Sequence, residues 1–318
     1  MIVTTLVVIH HEYKSDSATN AFKKFLKLAL HLDFVYLMSR SGASALLKRC
    51  PLLLNGALTP MYLARALDRH RAMRRDAFLF HFIWISARVR VTFYKNLFDS
   101  KYILWKNGRN NDIYTISLST DKKIRYEGEI SLIFELNDVK LYEVCFSVAR
   151  GSLVGSSAQQ VLLVARVQGA KNQFDEIRRA TKACHDIALP YLLVSAAKAV
   201  ATALDIDVVA GIGNAEQVSK SPDDSTITFD YDAFWRSLSA TPAACGFFEL
   251  PVSSPGKPLE QVCPAHRRRA RSRRQFKDTV SENVRVAFAA KCLKLQRCAG
   301  DLGLNGNSPP QCFGVGGG

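Results

Sequence analysis

The residues best placed to do chemistry form one short run, Arg166, Gln168, Gly169, Ala170 and Lys171, lying between an apolar stretch and a run with helical spacing. A strand that turns at glycine into a helix brings unpaired backbone N–H groups and the positive end of a helix dipole to one point. Such a point attracts phosphate groups, and Arg166 and Lys171 add countercharge to it. Asp175 and Glu176 in the first helical turn also fit a plain dipole-stabilised helix, so both readings stand.

Further candidates lie downstream. His185 stands beside Asp186 at the end of the same helix, where an imidazole suits acid–base work near neutral pH and equally serves as a dipole partner. Asn214, Tyr231 and Glu249 fall at or just after strand ends, where sites on open sheets gather, although turn and packing roles explain each as well. Arg267, Arg268, Arg269, Arg271, Arg273 and Arg274 crowd into eight residues. They suit the phosphates of anionic lipid or of RNA, with salt-dependent binding. The run holds no aromatic residue on which a base would stack, so nucleic acid is the less favoured partner.

The elements that position these residues follow from periodicity. Gln160 to Val167 is almost continuously apolar, as a strand buried on both faces must be. Asn172 is the expected cap of a helix in which Phe174, Ile177, Thr181, Cys184 and Ala188 recur at spacings of three and four and form the core face. Pro190 opens a second helix carrying Leu192, Leu193, Ala196, Val200 and Leu204, and Val208 to Asn214 reads as a second buried strand whose glycines permit close approach. Before this unit, Ile113–Leu118, Glu129–Leu136 and Val139–Ala149 are β-rich, with Asn137-Asp138 as a hairpin turn. After it come a short helix at Tyr231 to Trp235, a strand at Gly246 to Leu250 closed by Pro251, and a helix after the arginines.

An antiparallel meander followed by helices and a parallel crossover implies α+β, a mixed and mostly antiparallel sheet with flanking helices. The turn cluster Gly108 to Asp112 divides the chain into a mainly helical region, residues 1–108, and a core with a basic C-terminal helix, residues 109–290. The first region includes an amphipathic basic helix at Asn20 to Leu32 and a helix start at Thr59-Pro60. The glycine-rich end, 300–318, reads as a disordered tail.

A chain of 318 residues with 48% hydrophobic content buries a sizeable core, and a net charge of +15 favours an acidic partner. That partner is an anionic membrane surface, an acidic small molecule or nucleic acid. Eight cysteines without regular spacing point to reduced thiols in the cytoplasm rather than a disulfide framework. Cys263, His266, Cys292 and Cys298 lack the paired short spacings of a zinc site, so no metal is expected. The apolar opening at Met1 to Ile9 lacks a basic region and a cleavage site, and Ala77 to Ala87 is too short to span a bilayer.

The order of motifs carries a family resemblance. Val167-Gln168-Gly169, Ala180-Thr181-Lys182-Ala183 with His185, the helix Leu192 to Leu204, Gly211-Ile212-Gly213-Asn214, Tyr231-Asp232-Ala233-Phe234-Trp235, Gly246-Phe247-Phe248-Glu249-Leu250-Pro251 and the arginine cluster together resemble the VirK/YbjX family of Gram-negative bacteria. The resemblance implies a cytoplasmic protein, or one peripheral at the inner membrane, that supports virulence, outer-membrane integrity or resistance to cationic antimicrobial peptides. It supplies no reaction. The strand, Gln-Gly turn and helix after a meander also resemble the acetyltransferase superfamily, in which N–H groups at that turn hold the pyrophosphate of acyl-coenzyme A. That likeness implies acyl-coenzyme A bound around Arg166 to Lys171 and an acyl transfer, with Lys171 standing where the superfamily pattern has Gly or Ala.

Overall fold

The computed structural model describes residues 62–68, 71–120, 127–218, 229–253 and 258–294. The expected elements at Met1 to Ile9, Asn20 to Leu32 and Thr59-Pro60, and the tail from 300, lie outside the described residues.

Among the described residues three helices come first: α1 (Arg65–Asp68), α2 (Arg71–Arg88) and α3 (Phe93–Asp99). A meander follows, β1 (Tyr102–Arg109), β2 (Asp112–Ser119), β3 (Ile130–Leu136), β4 (Val139–Arg150) and β5 (Gln160–Gly169). Asn110 and Asn111 turn β1 into β2, and Asn137 and Asp138 turn β3 into β4; all four have positive φ, as a tight hairpin with right-handed strand twist requires. The Gly108 to Asp112 cluster is thus the tip of a hairpin, and the sheet begins before it.

The crossover comprises α4 (Phe174–Ala183) and α5 (Leu189–Ala203) and returns the chain as β6 (Val208–Ile212). Then come α6 (Tyr231–Ser237), the two-residue edge strand β7 (Thr241–Pro242), β8 (Phe247–Pro251) and α7 (Arg267–Cys292). The eight strands form one sheet in the order β1-β2-β3-β4-β5-β6-β8-β7, and only β5 and β6 run parallel. The α+β reading holds, with a mostly antiparallel sheet and flanking helices.

Alternation gives the sheet two unlike faces. Leu118, Leu132 and Val144 sit opposite one another across β2, β3 and β4, as do Ile116 and Phe134, and all are buried. Trp105 of β1 joins this face, 6.3 Å from the Phe134 ring and 6.1 Å from Phe276 of α7. There α5 packs across β3 to β6 and α7 packs on α5 and β1. The α7 residues Val280, Val284 and Phe288, four apart, are buried with them, about 1.5–3 kcal/mol for each large apolar side chain. The other face carries Thr115, Ser117, Ser131, Glu135, Glu143 and Ser147, all buried.

Two local expectations are corrected. Asn172 is not the cap of α4: it lies one residue earlier at φ 61°, and Gln173 takes the cap position without a side-chain bond. Phe174 does not belong to the core face, being 79% exposed, because α4 is short and buries only Ala180 within its length. Helical spacing lists which residues share a side, but only a tertiary partner decides which side is buried.

Candidate functional site

The site is built on β5. Its register with β4 slips at Ala165, since Cys145 faces Arg166 whereas Phe146 faces Val164. Such a bulge bends the strand and increases its twist. On its other side β5 pairs with β6 only from Leu162 to Val164, so Ala165 to Gly169 run on without that neighbour. The backbone groups of Val167 therefore need another partner. Tyr231 supplies it: its hydroxyl accepts the Val167 N–H at 3.0 Å and lies 3.4 Å from the Val167 carbonyl oxygen. Burial pushes the pKa of this phenol up, so it stays protonated.

Tyr231 is aimed by a set of bonds at the start of α6. The Asn214 side-chain oxygen accepts the Tyr231 N–H at 2.9 Å, and its amide donates to Asp230 at 2.8 Å. Asp232 accepts the Asn214 N–H at 2.8 Å, and Asp230 caps the helix by accepting the Ala233 N–H at 3.1 Å. The bond from Asn214, followed by the Ala233 N–H, holds the Asp230 carboxyl below the usual range. Trp235 then donates to the Ile212 carbonyl at 2.9 Å, with its ring where a Cβ on Gly211 would stand, 2.0 Å from the nearest ring atom. The glycine of β6 admits an indole.

Arg166 and Gln168 point to the polar face. Arg166 Nη1 donates to Glu127 Oε2, Nη2 donates to Gln168 Oε1, and Nε lies 3.2 Å from Glu143 Oε1. Lys140 donates to the other Glu143 oxygen at 3.0 Å, which completes a chain of alternating charge from the surface inward. Cys145 sits among these groups with its sulfur 3.2 Å from Ser131 Oγ, and burial pushes its thiol up to about 12. Glu127 and Glu143 are 0% and 3% exposed, and Glu127 Oε1 has no hydrogen-bond partner. Toward β2 the same face opens into a cavity of about 470 Å³ lined by Lys101, Ser119, Thr120, Ile133, Lys140 and Glu143, with α3 residues on its other side.

The sequence candidates are thus divided among several places. Arg166 and Gln168 join Glu127 and Glu143, which the sequence reading did not single out, whereas Gly169 and Ala170 finish the ladder with β4. Gly169 pairs with Tyr142, and the Ala170 N–H donates to the Leu141 carbonyl at 2.8 Å. Lys171 is exposed in the turn before α4. Asn214 and Tyr231 come together as described. Glu249 lies opposite Ala210 on β8, half-buried and apart from them. Polar Glu127, Glu129, Ser131 and Glu135, in a two-residue spacing broken by Ile133, were the available signal for the buried cluster, but the same pattern describes a strand with one wet face.

His185 is at the far end of α4, against α7. Its ring lies 4.7 Å from the Phe276 ring and its Nδ1 lies 3.0 Å from Ser272 Oγ. His185 and Asp186 have positive φ, and Arg273 donates to both of their carbonyls, at 2.9 and 2.8 Å. Arg269 pairs with the Asp186 carboxylate at 2.6 Å and, by that hydrogen bond, holds it below the usual carboxylate range. Arg267 donates to the Val262 and Glu260 carbonyls, both at 3.0 Å. Half of the arginine run therefore braces the fold, while Arg268 and Arg271 are exposed and Arg274 is half-buried. A cavity of about 400 Å³ lies between His185, Asp186 and Arg268 to Arg273.

An open, mixed α+β sheet with one short parallel pair, a tyrosine at its divergence and a buried acid–arginine chain defines the class of this protein. Among the described residues no helix is long and apolar enough to cross a membrane. The chain belongs to the family described as a protein of unknown function, DUF535, which matches residues 15–286. It is 24% identical over 188 residues to the uncharacterized protein YbjX of Escherichia coli (strain K12), covering 57% of this chain and 56% of that protein. It is 25% identical over 172 residues to an uncharacterized protein of Haemophilus influenzae (strain ATCC 51907 / DSM 11121 / KW20 / Rd), covering 53% and 56%. The chain thus spans little more than half the length of these relatives, and the VirK/YbjX resemblance of its motifs is met. No solved structure matches it.

Proposed function

We propose that this protein supports the bacterial cell envelope by binding an acyl thioester, acyl-coenzyme A being the representative ligand, and transferring its acyl group. The observation that carries the reading is the divergence of β5 from β6. The only parallel pair in the sheet lasts from Leu162 to Val164, and the freed end of β5 leads straight to the N-terminus of α4. The space that opens where a strand leaves its neighbour suits a pantetheine arm, and a helix start suits its phosphates.

In this reading the ligand lies along β5 beyond the Tyr231 hydroxyl, and Lys171 and the N–H groups at the start of α4 receive the pyrophosphate. The transfer requires an acceptor amine or hydroxyl to attack the thioester carbon. The carbon–sulfur bond breaks, and the acceptor's proton leaves to a base while the thiolate takes one up. A role in virulence, outer-membrane integrity or resistance to cationic peptides follows from the family likeness. The alternative, a non-catalytic adaptor that holds anionic lipid or RNA through Arg267 to Arg274, is weakened by the work Arg267, Arg269 and Arg273 do within the fold.

Thermal shift and calorimetry with acetyl- and long-chain acyl-coenzyme A test the reading. Binding is expected, with Lys171→Glu weakening it several-fold. Lys171 is exposed and suits this purpose better than Gly169, where a Cβ would stand 2.9 Å from the Tyr142 ring. No stabilisation by any acyl-coenzyme A removes the proposal.

A further inference from the structure

Phe174 is more exposed, at 79%, than any other large apolar side chain among the described residues. It heads α4, and Arg178 and Lys182 follow at intervals of four, so the three lie one above another along one exposed side of the helix. The opposite side carries the buried Ala180 and the half-buried Glu176 and Ala183. Beyond Lys182 the strip meets Arg268 and Arg269 across Asp186, whose carboxylate Arg269 already occupies. The tip of the β1–β2 hairpin is tied to α4 by Arg179 and Asp112 at 3.5 Å and exposes Ile113 nearby. Asp175 is the acidic residue beside the aromatic end of the strip, with Lys171 three residues before Phe174.

We propose that this side of α4 is a docking surface for an anionic lipid bilayer. Phe174 enters the interface between headgroups and acyl chains, and Arg178, Lys182, Lys171 and Arg268 meet the lipid phosphates. A purely solvated helix face gains nothing from an aromatic ring held in water, whereas an aromatic ring beside cations is the combination an anionic interface rewards. RNA would use aromatic rings interleaved with the cations as stacking platforms, and here the aromatic ring stands at one end of the strip. The inference rests on Phe174, Arg178 and Lys182 rather than on the acyl-thioester reading, with which it shares Lys171, and it moves the lipid contact from the arginine run to α4.

The full chain is sedimented with vesicles of phosphatidylcholine alone and with vesicles in which about a third of the lipid is phosphatidylglycerol. Binding is expected only to the second kind, weakening as salt is raised. Phe174→Ser lowers the partition coefficient several-fold. The double variant Arg178→Ser/Lys182→Ser lowers it about 25-fold, about fivefold for each cation. Phe174→Trp gives a blue shift of emission on the anionic vesicles. Unchanged circular dichroism shows that each variant is folded. Equal binding to both vesicle types, or binding undiminished in the Ser variants, overturns the proposal. So does a protein that ignores vesicles and binds single-stranded RNA.

Discussion

The Tyr231 hydroxyl and the Val167 backbone, 64 residues apart in the chain, form the hydrogen bond that ends the sheet's only parallel pairing. Tyr231 takes the place that a longer β6 would fill. Tyr231→Phe keeps the ring and leaves a buried N–H without its acceptor, so we expect a loss of about 1–3 kcal/mol. Urea unfolding should show a lower midpoint with the same slope. A variant as stable as the parent would show that the hydroxyl is not the partner.

Gly211 and Trp235 make a second strict fit. A Cβ at Gly211 would stand 2.0 Å from the indole, closer than atoms can pack. Gly211→Ala is expected to cost about 1–3 kcal/mol by overpacking and to weaken the bond from the Trp235 ring to Ile212. Red-shifted or heterogeneous tryptophan emission would report the displaced ring. If stability and emission are both unaltered, the strand and α6 are not packed in this way.

Glu127 is buried and the Arg166 side chain is only 11% exposed, so removing one partner should cost more than removing both. Arg166→Met or Glu127→Gln alone is expected to destabilise by about 3–5 kcal/mol. The double variant should lose clearly less than the sum, because neither leaves the other's charge stranded. Glu143, which also touches Arg166, keeps the cycle from closing to zero. Strict additivity in denaturant melts would separate the two side chains.

His81 sets a pH dependence of known sign. Its Nδ1 accepts the Val148 N–H at 2.9 Å, so the proton is on Nε2 and is donated to the Tyr94 hydroxyl at 2.5 Å. Burial lowers its pKa from 6.5 to about 3. Between these values the unfolded chain binds a proton that the folded chain refuses. This contribution is therefore full above pH 6.5 and declines as pH falls, by about 1.4 kcal/mol per unit. Unfolding free energies at pH 7, 5 and 4 should show a shallower decline in His81→Gln than in the parent. Parallel declines would falsify the assignment.

Much of the architecture was legible. Alternation in Ile130–Leu136 and Val139–Arg150 and turn residues at Asn137-Asp138 reveal the meander because each strand has one uniformly apolar face. The strand Tyr102–Arg109 escaped notice because only Leu104 and Trp105 of it are buried, and an edge strand owes its existence to the neighbour it pairs with. The site was harder to read. Arg166 and Gln168 stand out by their position before a glycine turn, but Glu127 and Glu143 look like the wet side of a strand until burial is known. Asn214 and Tyr231 were singled out by their place at strand ends, and it is their mutual bond, not either residue alone, that aims the hydroxyl at β5.

Arg90, between α2 and α3, ties that junction to the end of α7. Its guanidinium donates to the Ala290 and Leu293 carbonyls, 200 and 203 residues later, its N–H donates to the Cys292 carbonyl, and Val89 pairs with Leu293. During synthesis the early helices must wait for the last described turn of chain to leave the ribosome before this junction closes. Until then the apolar face beneath α7 is bare. Chain closure is thus a late, non-local event, and the newborn protein is most prone to aggregate in the interval before it.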